Sequence, residues 1–246
     1  MLLYLGRPRP LSSLLFDPPH SLERQASAPR YQDPPLCNGD GWGVCWYPSG
    51  AIEPRRHRTT VPIWEDEAFH SSARSIESGC VLAAVRSATP PSAVSEENTP
   101  PYTHRRWAFA HNGRIQGFHS GTRRRVRELG SPMCGTRVRG STDSEWIFAI
   151  LLERLQRGDP VEEALSSLVR ELLETCGGAF TTLLTDGEYG WASVLGRSLF
   201  YSQSAHDCVI ASEPLDDEGG WTRLPEGSLL AAREGKIRVI EGVFPT

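Results

Sequence analysis

Lysine is almost missing from this sequence: Lys236 is the only one, and every other basic side chain is arginine. That skew carries no chemical information by itself. Paired cysteines are missing too. Cys37, Cys45, Cys80, Cys134, Cys176 and Cys208 are scattered with no C-x-x-C among them, which excludes a zinc ribbon and a dithiol redox motif. No run approaches the roughly 18 apolar residues of a membrane helix. Met1 to Leu5 is too short for the apolar region of a secretory signal, and Arg7-Pro8-Arg9-Pro10 follows at once. A cytoplasmic protein with reduced thiols is therefore expected. There is no excess of positive charge either: the net charge is −4, so neither nucleic acid nor an anionic membrane is expected as a partner. Internal repeats and linker-like stretches are absent. With 246 residues, 39% of them hydrophobic, the chain has enough apolar material for one large domain.

The apolar residues that are present fall into short pieces with clear periods. Met1 to Gly6 reads as a strand, Leu11 to Phe16 as a short turn or helix, and Pro18 to Leu22 as a helix start. In Cys37-Asn38-Gly39-Asp40-Gly41-Trp42-Gly43-Val44-Cys45-Trp46-Tyr47 the glycines invite a nucleotide-loop reading. The residues after them alternate as in a strand, so a phosphate-capping helix is rejected, and close backbone approach explains the glycines better. Residues 51–60, with Arg55, Arg56, His57 and Arg58, read as a solvated loop. Ile63 to Ser78 has helical composition with Gly79 as its terminator. Residues 116–140 have few apolar anchors and read as a surface segment. The arginines at 123, 124, 125 and 127 are most simply a solvated face, and mark the one stretch where a polyanion could dock.

Cys80 to Val85 is a continuous apolar run suited to a buried strand. Thr142-Asp143-Ser144-Glu145 is a capping box opening a helix over Trp146 to Gln156. Asp159-Pro160 starts a second helix that runs to about Cys176, with Leu165, Leu168, Val169, Leu172 and Leu173 on one face. After Ala179 the period becomes that of strands: Phe180 to Thr185, Trp191 to Leu195, Leu199 to Ser202, Cys208 to Ser212, Ser228 to Ala232 and Lys236 to Val243. Strands, two consecutive helices and strands again predict an α+β fold, a four-layer sandwich of two antiparallel sheets flanked by helices.

Three residue groups could carry chemistry. Arg86, directly after a buried strand, needs an anionic partner, which could be an internal carboxylate or a ligand. The run Trp107 to His111 reads as a half-buried strand stopped by a turn at Asn112-Gly113. That pair could be no more than a turn, or its side-chain amide and backbone N–H could be the two neutral donors of an oxyanion hole. Asp143 at a helix entrance could complement the helix dipole or bind a cation.

Read together, Asn38-Gly39-Asp40-Gly41-Trp42-Gly43-Val44, Arg86-Ser87-Ala88-Thr89, His111-Asn112-Gly113, Thr142-Asp143-Ser144-Glu145 and Ala211-Ser212-Glu213-Pro214-Leu215 resemble, in order and spacing, the class II glutamine amidotransferases. These are N-terminal-nucleophile (Ntn) hydrolases, and the resemblance spans nearly the whole chain. Tyr4-Leu5-Gly6, Asp17 to Leu22 and Ala28-Pro29-Arg30 most resemble the single-domain branch that acts in ergothioneine biosynthesis, removing glutamate from γ-glutamyl-hercynylcysteine sulfoxide. The resemblance implies that Arg86 pairs with the α-carboxylate of a γ-glutamyl group. It implies that Asp143 takes the α-ammonium, helped by Thr89 and the backbone around His111, and that Asn112 and Gly113 hold the oxyanion. Asn38, Asp40, Gly41, Trp42 and Gly43 would belong to a strand lining the site. No metal or organic cofactor is implied, and the partner is a small γ-glutamyl substrate.

In this family the nucleophile is an N-terminal cysteine whose thiol attacks the amide, with its own α-amine as base and a thioester as intermediate. Aligning on Tyr4-Leu5-Gly6 places that cysteine ahead of Met1, while positions 2 and 3 are leucine. The expectation is a single amidotransferase domain, residues 1–246, whose first few residues lie upstream. None of the six internal cysteines has a free α-amine, Cys37 and Cys45 being the nearest, and Cys45 stands where the family pattern has glycine. Two alternatives stay open: an inactive relative that binds γ-glutamyl compounds, and a glutaminase subunit that supplies ammonia to a separate synthetase.

Overall fold

The computed structural model describes residues 1–32 and 37–245. In chain order the strands are β1 (Leu2–Pro10), β2 (Trp42–Trp46), β3 (Arg55–Thr59), β4 (Glu77–Val85), β5 (Tyr102–His104), β6 (Trp107–Ile115), β7 (Gly178–Thr185), β8 (Tyr189–Ser193), β9 (Phe200–Gln203), β10 (Cys208–Ala211), β11 (Trp221–Arg223), β12 (Leu229–Arg233) and β13 (Lys236–Ile240). The helices are α1 (Ser12–Leu15), α2 (Leu22–Ser27), α3 (Glu67–Ser72), α4 (Arg123–Glu128), α5 (Asp143–Gln156) and α6 (Val161–Cys176). One sheet has the order β11-β9-β10-β1-β4-β2-β3 and the other β13-β12-β8-β7-β6-β5. Among the described residues no helix is long and apolar enough to cross a membrane.

Period-two alternation builds the layers. In β4, Val81 and Ala83 face α1–α3, while Cys80, Leu82 and Ala84 face the second sheet. Both faces are covered, which is why the run is apolar throughout. In β1, Leu2 and Tyr4 point outward to the helices and Leu3 and Leu5 inward between the sheets. A third core lies between the second sheet and α5–α6, where Phe109, Ile115 and Phe180 meet Phe148, Leu165 and Leu168. The result is the predicted four-layer sandwich of helices, sheet, sheet and helices.

Several local expectations are corrected. Residues 55–59 are not a loop but the edge strand β3, paired with β2. Only Glu67–Ser72 of the predicted helix over 63–78 is α-helical, preceded by a 3-10 turn at Ile63–Glu65. Gly79 lies inside β4, where an added Cβ would stand 2.6 Å from the Gly6 carbonyl oxygen. Close approach of β1 near its bulge, between Leu5 and Arg9, explains that glycine better than helix termination. Residues 116–140 are pinned by buried Phe118, Val126 and Cys134 against α5, and form α4 and two 3-10 turns. At the start of α5 Thr142 caps the Glu145 N–H, as the motif predicts. The Glu145 carboxylate does not return to Thr142, however; it accepts the N–H groups of Arg139 and Gly140.

Candidate active site

A cavity of about 270 Å³ opens where the N-terminal end of β1, the C-terminal end of β4, the edge of β6 and the first turn of α5 meet. Of the residues singled out from the sequence, Asn38, Arg86, Thr89, His111, Asn112, Gly113 and Asp143 line it. Asp40, Gly41, Trp42 and Gly43 do not, for reasons visible in β2. Trp42 is fully buried on the helix side, with its indole N–H donated to Asp66. Gly43 faces the Pro100 carbonyl oxygen at a distance only glycine allows. Gly41 has φ +108° and accepts the Arg86 N–H at its carbonyl. Asp40 accepts the Ala88 N–H at 2.7 Å and donates its own N–H to the Arg86 carbonyl. These residues brace Arg86-Ser87-Ala88 from behind and do not contact the cavity.

Arg86 is 8% exposed. Its Nη2 donates to the Ala93 carbonyl at 3.1 Å, and Nη1 is buried with no partner. It forms no ion pair among the described residues. Burial lowers its pKa, opposed by Tyr102 and Asp40. Of the two readings open from the sequence, the internal carboxylate is thus not what Arg86 meets. A guanidinium that lines a polar cavity and keeps an unused N–H is equipped for an anionic ligand.

The Asn112-Gly113 pair does not form a turn. β6 runs straight through it, with Asn112 opposite Thr181 and Gly113 opposite Phe180. Pairing with β7 overrides the local turn preference. Gly113 is needed because any Cβ there would collide with the Ala179 carbonyl oxygen and sit 2.6 Å from the His111 ring. The strand also sets the donor directions. The Gln116 N–H runs to Gly177 on the β7 side, whereas the Ile115 N–H turns the other way, to Asp143 Oδ2 at 2.7 Å. Successive N–H groups alternate sides along a strand, so the Gly113 N–H also points away from β7. On that side β5 pairs only with Trp107 to Phe109, and the edge is open to the cavity. Ala108 and Ala110 face between the sheets, and the same period puts the Asn112 side chain on that inter-sheet face. No protein group among the described residues bonds its carboxamide.

His111 lies on the helix side of β6. One ring nitrogen meets Ser144 Oγ and the other the Ala179 carbonyl, both at 2.9 Å, and the ring stacks on Phe180. It fixes the start of α5 against β6. Asp143 stands there, accepting Ile115 N–H at Oδ2 and Ser144 N–H at Oδ1, a negative group held in place at the cavity wall.

The sequence reading assigned no role to Met1, Tyr102, Arg197, Ser212 or Glu213, all of which line the cavity. Ser212 and Glu213 arrive because β10 pairs with β1, and their Ser-Glu-Pro motif after a strand was the only signal of them. The Met1 amine donates to Ser212 Oγ at 3.2 Å, and the Met1 carbonyl accepts the Ser212 N–H. Burial lowers this amine from 8.0 to about 6, against the pull of Glu213. The buried thiols are poor nucleophiles. Cys45 fills the inter-sheet core where burial raises its pKa, and the same cause pushes Cys80 up to about 12. Cys37 is exposed and outside the cavity lining.

Residues 36–203 match the family model for class-II glutamine amidotransferases. The chain is 36% identical over 230 residues to the gamma-glutamyl-hercynylcysteine sulfoxide hydrolase of Mycobacterium tuberculosis, covering 92% of this chain and 89% of that one. It is 32% identical over 237 residues to the protein of the same name from Mycolicibacterium smegmatis, covering 96% of each. A solved structure of a glutamine aminotransferase class-II domain protein from Silicibacter pomeroyi superposes with a TM-score of 0.72 at 24% identity, over 98% of this chain and 97% of that one.

Proposed function

The chain belongs to the class II glutamine amidotransferases, and from that premise we propose that its cavity holds a γ-glutamyl group and hydrolyses the amide at its γ-carbonyl. The observation that carries this reading is charge placement. Arg86, with an unpartnered buried N–H, and the fixed Asp143 carboxylate are two opposite charges on one cavity, suited to the α-carboxylate and α-ammonium of an amino acid. The Asn112 amide and Gly113 N–H would then receive the γ-carbonyl oxygen as it becomes tetrahedral. Such preorganised donors act by favouring the charge that develops in the transition state.

We assign the nucleophile to a cysteine two residues ahead of Met1. β1 pairs Leu2 with Ala83 of β4; continued in the same register, the second residue upstream of Met1 falls level with Arg86. It shares the face of Met1, Leu3 and Leu5, which point between the sheets, the face on which Asn112 also lies. In that arrangement the thiol sulfur attacks the γ-carbonyl carbon, the amine leaves with a proton delivered through the cysteine α-amine, and a γ-glutamyl thioester remains. Water then loses a proton to the same amine, attacks the thioester carbon and releases glutamate and the thiol. An in-frame Met-Cys-Arg directly upstream of Met1 is expected in the genome.

By likeness to the mycobacterial hydrolases, the substrate is γ-glutamyl-hercynylcysteine sulfoxide in ergothioneine biosynthesis. The test is a form bearing Met-Cys-Arg ahead of Met1, assayed for glutamate released from that conjugate and for ammonia released from glutamine. Faster glutamate release from the conjugate is expected. Faster ammonia release would identify a glutaminase subunit, and binding without either product would identify an inactive γ-glutamyl-binding relative.

A further inference from the structure

We infer that the cleft between the two edge strands β3 and β5 is a binding site for a compact multivalent oxyanion of the phosphate class. The register of β3 on β2 sets Arg56 opposite Cys45 and Arg58 opposite Gly43. Cys45 lies in the inter-sheet core, and directly opposed residues of an antiparallel pair share a face. Arg56 and Arg58 therefore project toward the second sheet, where a sandwich edge ordinarily carries apolar residues. The alternate residue His57 goes outward, stacks on Phe69 and bonds Asp66. Across the cleft, Arg137 and Arg139 arrive from the segment before α5, and His104 from β5.

The arginines of the cleft are not held in ion pairs among the described residues. Elsewhere arginines find carboxylates: Arg106 pairs with Asp186, Arg154 with Glu171, Arg233 with Glu188 and Arg238 with Glu162. Among the described residues none of Arg56, Arg58, Arg137 and Arg139 forms an ion pair. Arg137 gives Nη2 to Gln156 and leaves Nη1 buried with no partner. The carboxylate nearest the floor, Glu145, is occupied by two backbone N–H groups. Glu97 stands at the mouth, exposed, and Glu96 lies within electrostatic range of Arg56. The crowding is felt: Arg56 is lowered first by burial and then by Arg58 and Arg139, against Cys45 and Glu96, and His104 by burial, Arg137 and Arg105, against Glu53. Guanidinium forks gathered without ion-paired acids match the geometry of phosphoryl oxygens. The cleft, about 310 Å³, is at the small end of ligand sites, which favours a small phosphorylated molecule over a polymer. It shares only Tyr102 with the active-site cavity.

The test titrates the full chain with inorganic pyrophosphate, with sodium chloride at matched ionic strength as the control, by calorimetry and thermal melting. Saturable one-to-one binding with a Kd below ~1 mM and a Tm rise over the salt control are expected. The double variant Arg56→Gln/Arg139→Gln should weaken binding at least about tenfold without lowering the Tm of the free protein, because it removes mutual repulsion. A triple variant Arg123→Gln/Arg124→Gln/Arg125→Gln should bind as the parent does. ADP binding tighter than pyrophosphate would point to a nucleotide, and equal binding to the phosphate groups alone. No saturable binding, or equal loss in both variants, would overturn the proposal. So would a double variant that melts lower yet still binds.

Discussion

Two polar clefts open on either side of Tyr102, and they handle charge in opposite ways. The candidate active-site cavity holds Arg86 and Asp143 with neutral backbone and amide donors near them. The edge cleft holds four arginines and a histidine whose acidic neighbours are either occupied or at its mouth. Opposite charges fixed apart suit a zwitterion such as the amino-acid end of a γ-glutamyl compound. Like charges gathered together suit a multivalent anion. Both clefts arise where strand edges run out of partners, and what distinguishes them is which side chains the register delivers.

Substitutions should separate the two. In the Cys-bearing form, Asn112→Ala should lower kcat by about 10²–10³-fold with a smaller change in KM, and leave pyrophosphate affinity untouched. Steady-state kinetics beside calorimetry would show it, and an unchanged kcat would remove Asn112 from the oxyanion site. Arg86→Ala should raise KM by about tenfold to a hundredfold, the worth of a charge-assisted pair. An equal loss in the edge cleft would mean that the two are one site.

Gly113→Ala should cost about 1–3 kcal/mol in denaturant unfolding, because β7 must move away from the new methyl. A neutral result would mean that β6 and β7 are less closely apposed. For the chain beginning at Met1, the buried amine sets a pH dependence. Its folded pKa of about 6 lies below its unfolded value near 8.0, so the unfolded state binds more protons between them. Stability from this group is full above pH 8 and lost as the pH falls toward 6, by ~2–3 kcal/mol. Acetylating the amine should abolish that slope. The Arg56→Gln single variant should give the smallest effect, a Tm change of at most a few degrees upward.

Much of the fold was legible because its signals were long and periodic. β4, α5 and α6 each carry a pattern that tertiary contacts reinforce. Short or charged stretches were not legible. β3 reads as a solvated loop because its residues are Arg, His and Thr, and it exists only because β2 offers an edge. The Asn-Gly pair reads as a turn because the sequence does not show that β7 will pair through it. The motifs that converge on the cavity were visible as an ordered set, and Arg86, Asn112, Gly113 and Asp143 do share it. Asp40 to Gly43 were placed one layer too close, since no local pattern shows that Asp40 and Gly41 bond the backbone of Arg86 and Ala88 from behind the cavity. Ser212, Glu213 and the Met1 amine depend on the pairing of β1 with β10, separated by most of the chain. The arginine cleft depends on two edges meeting, which no local pattern encodes.

The most direct test of the central claim is the intact mass of the Cys-bearing form, acid-quenched during turnover of a γ-glutamyl amide. The account predicts an added γ-glutamyl group on the N-terminal cysteine, less of it in Asn112→Ala and none on the chain that begins at Met1. Turnover with no adduct, or an adduct on Cys37 or another internal thiol, would contradict it.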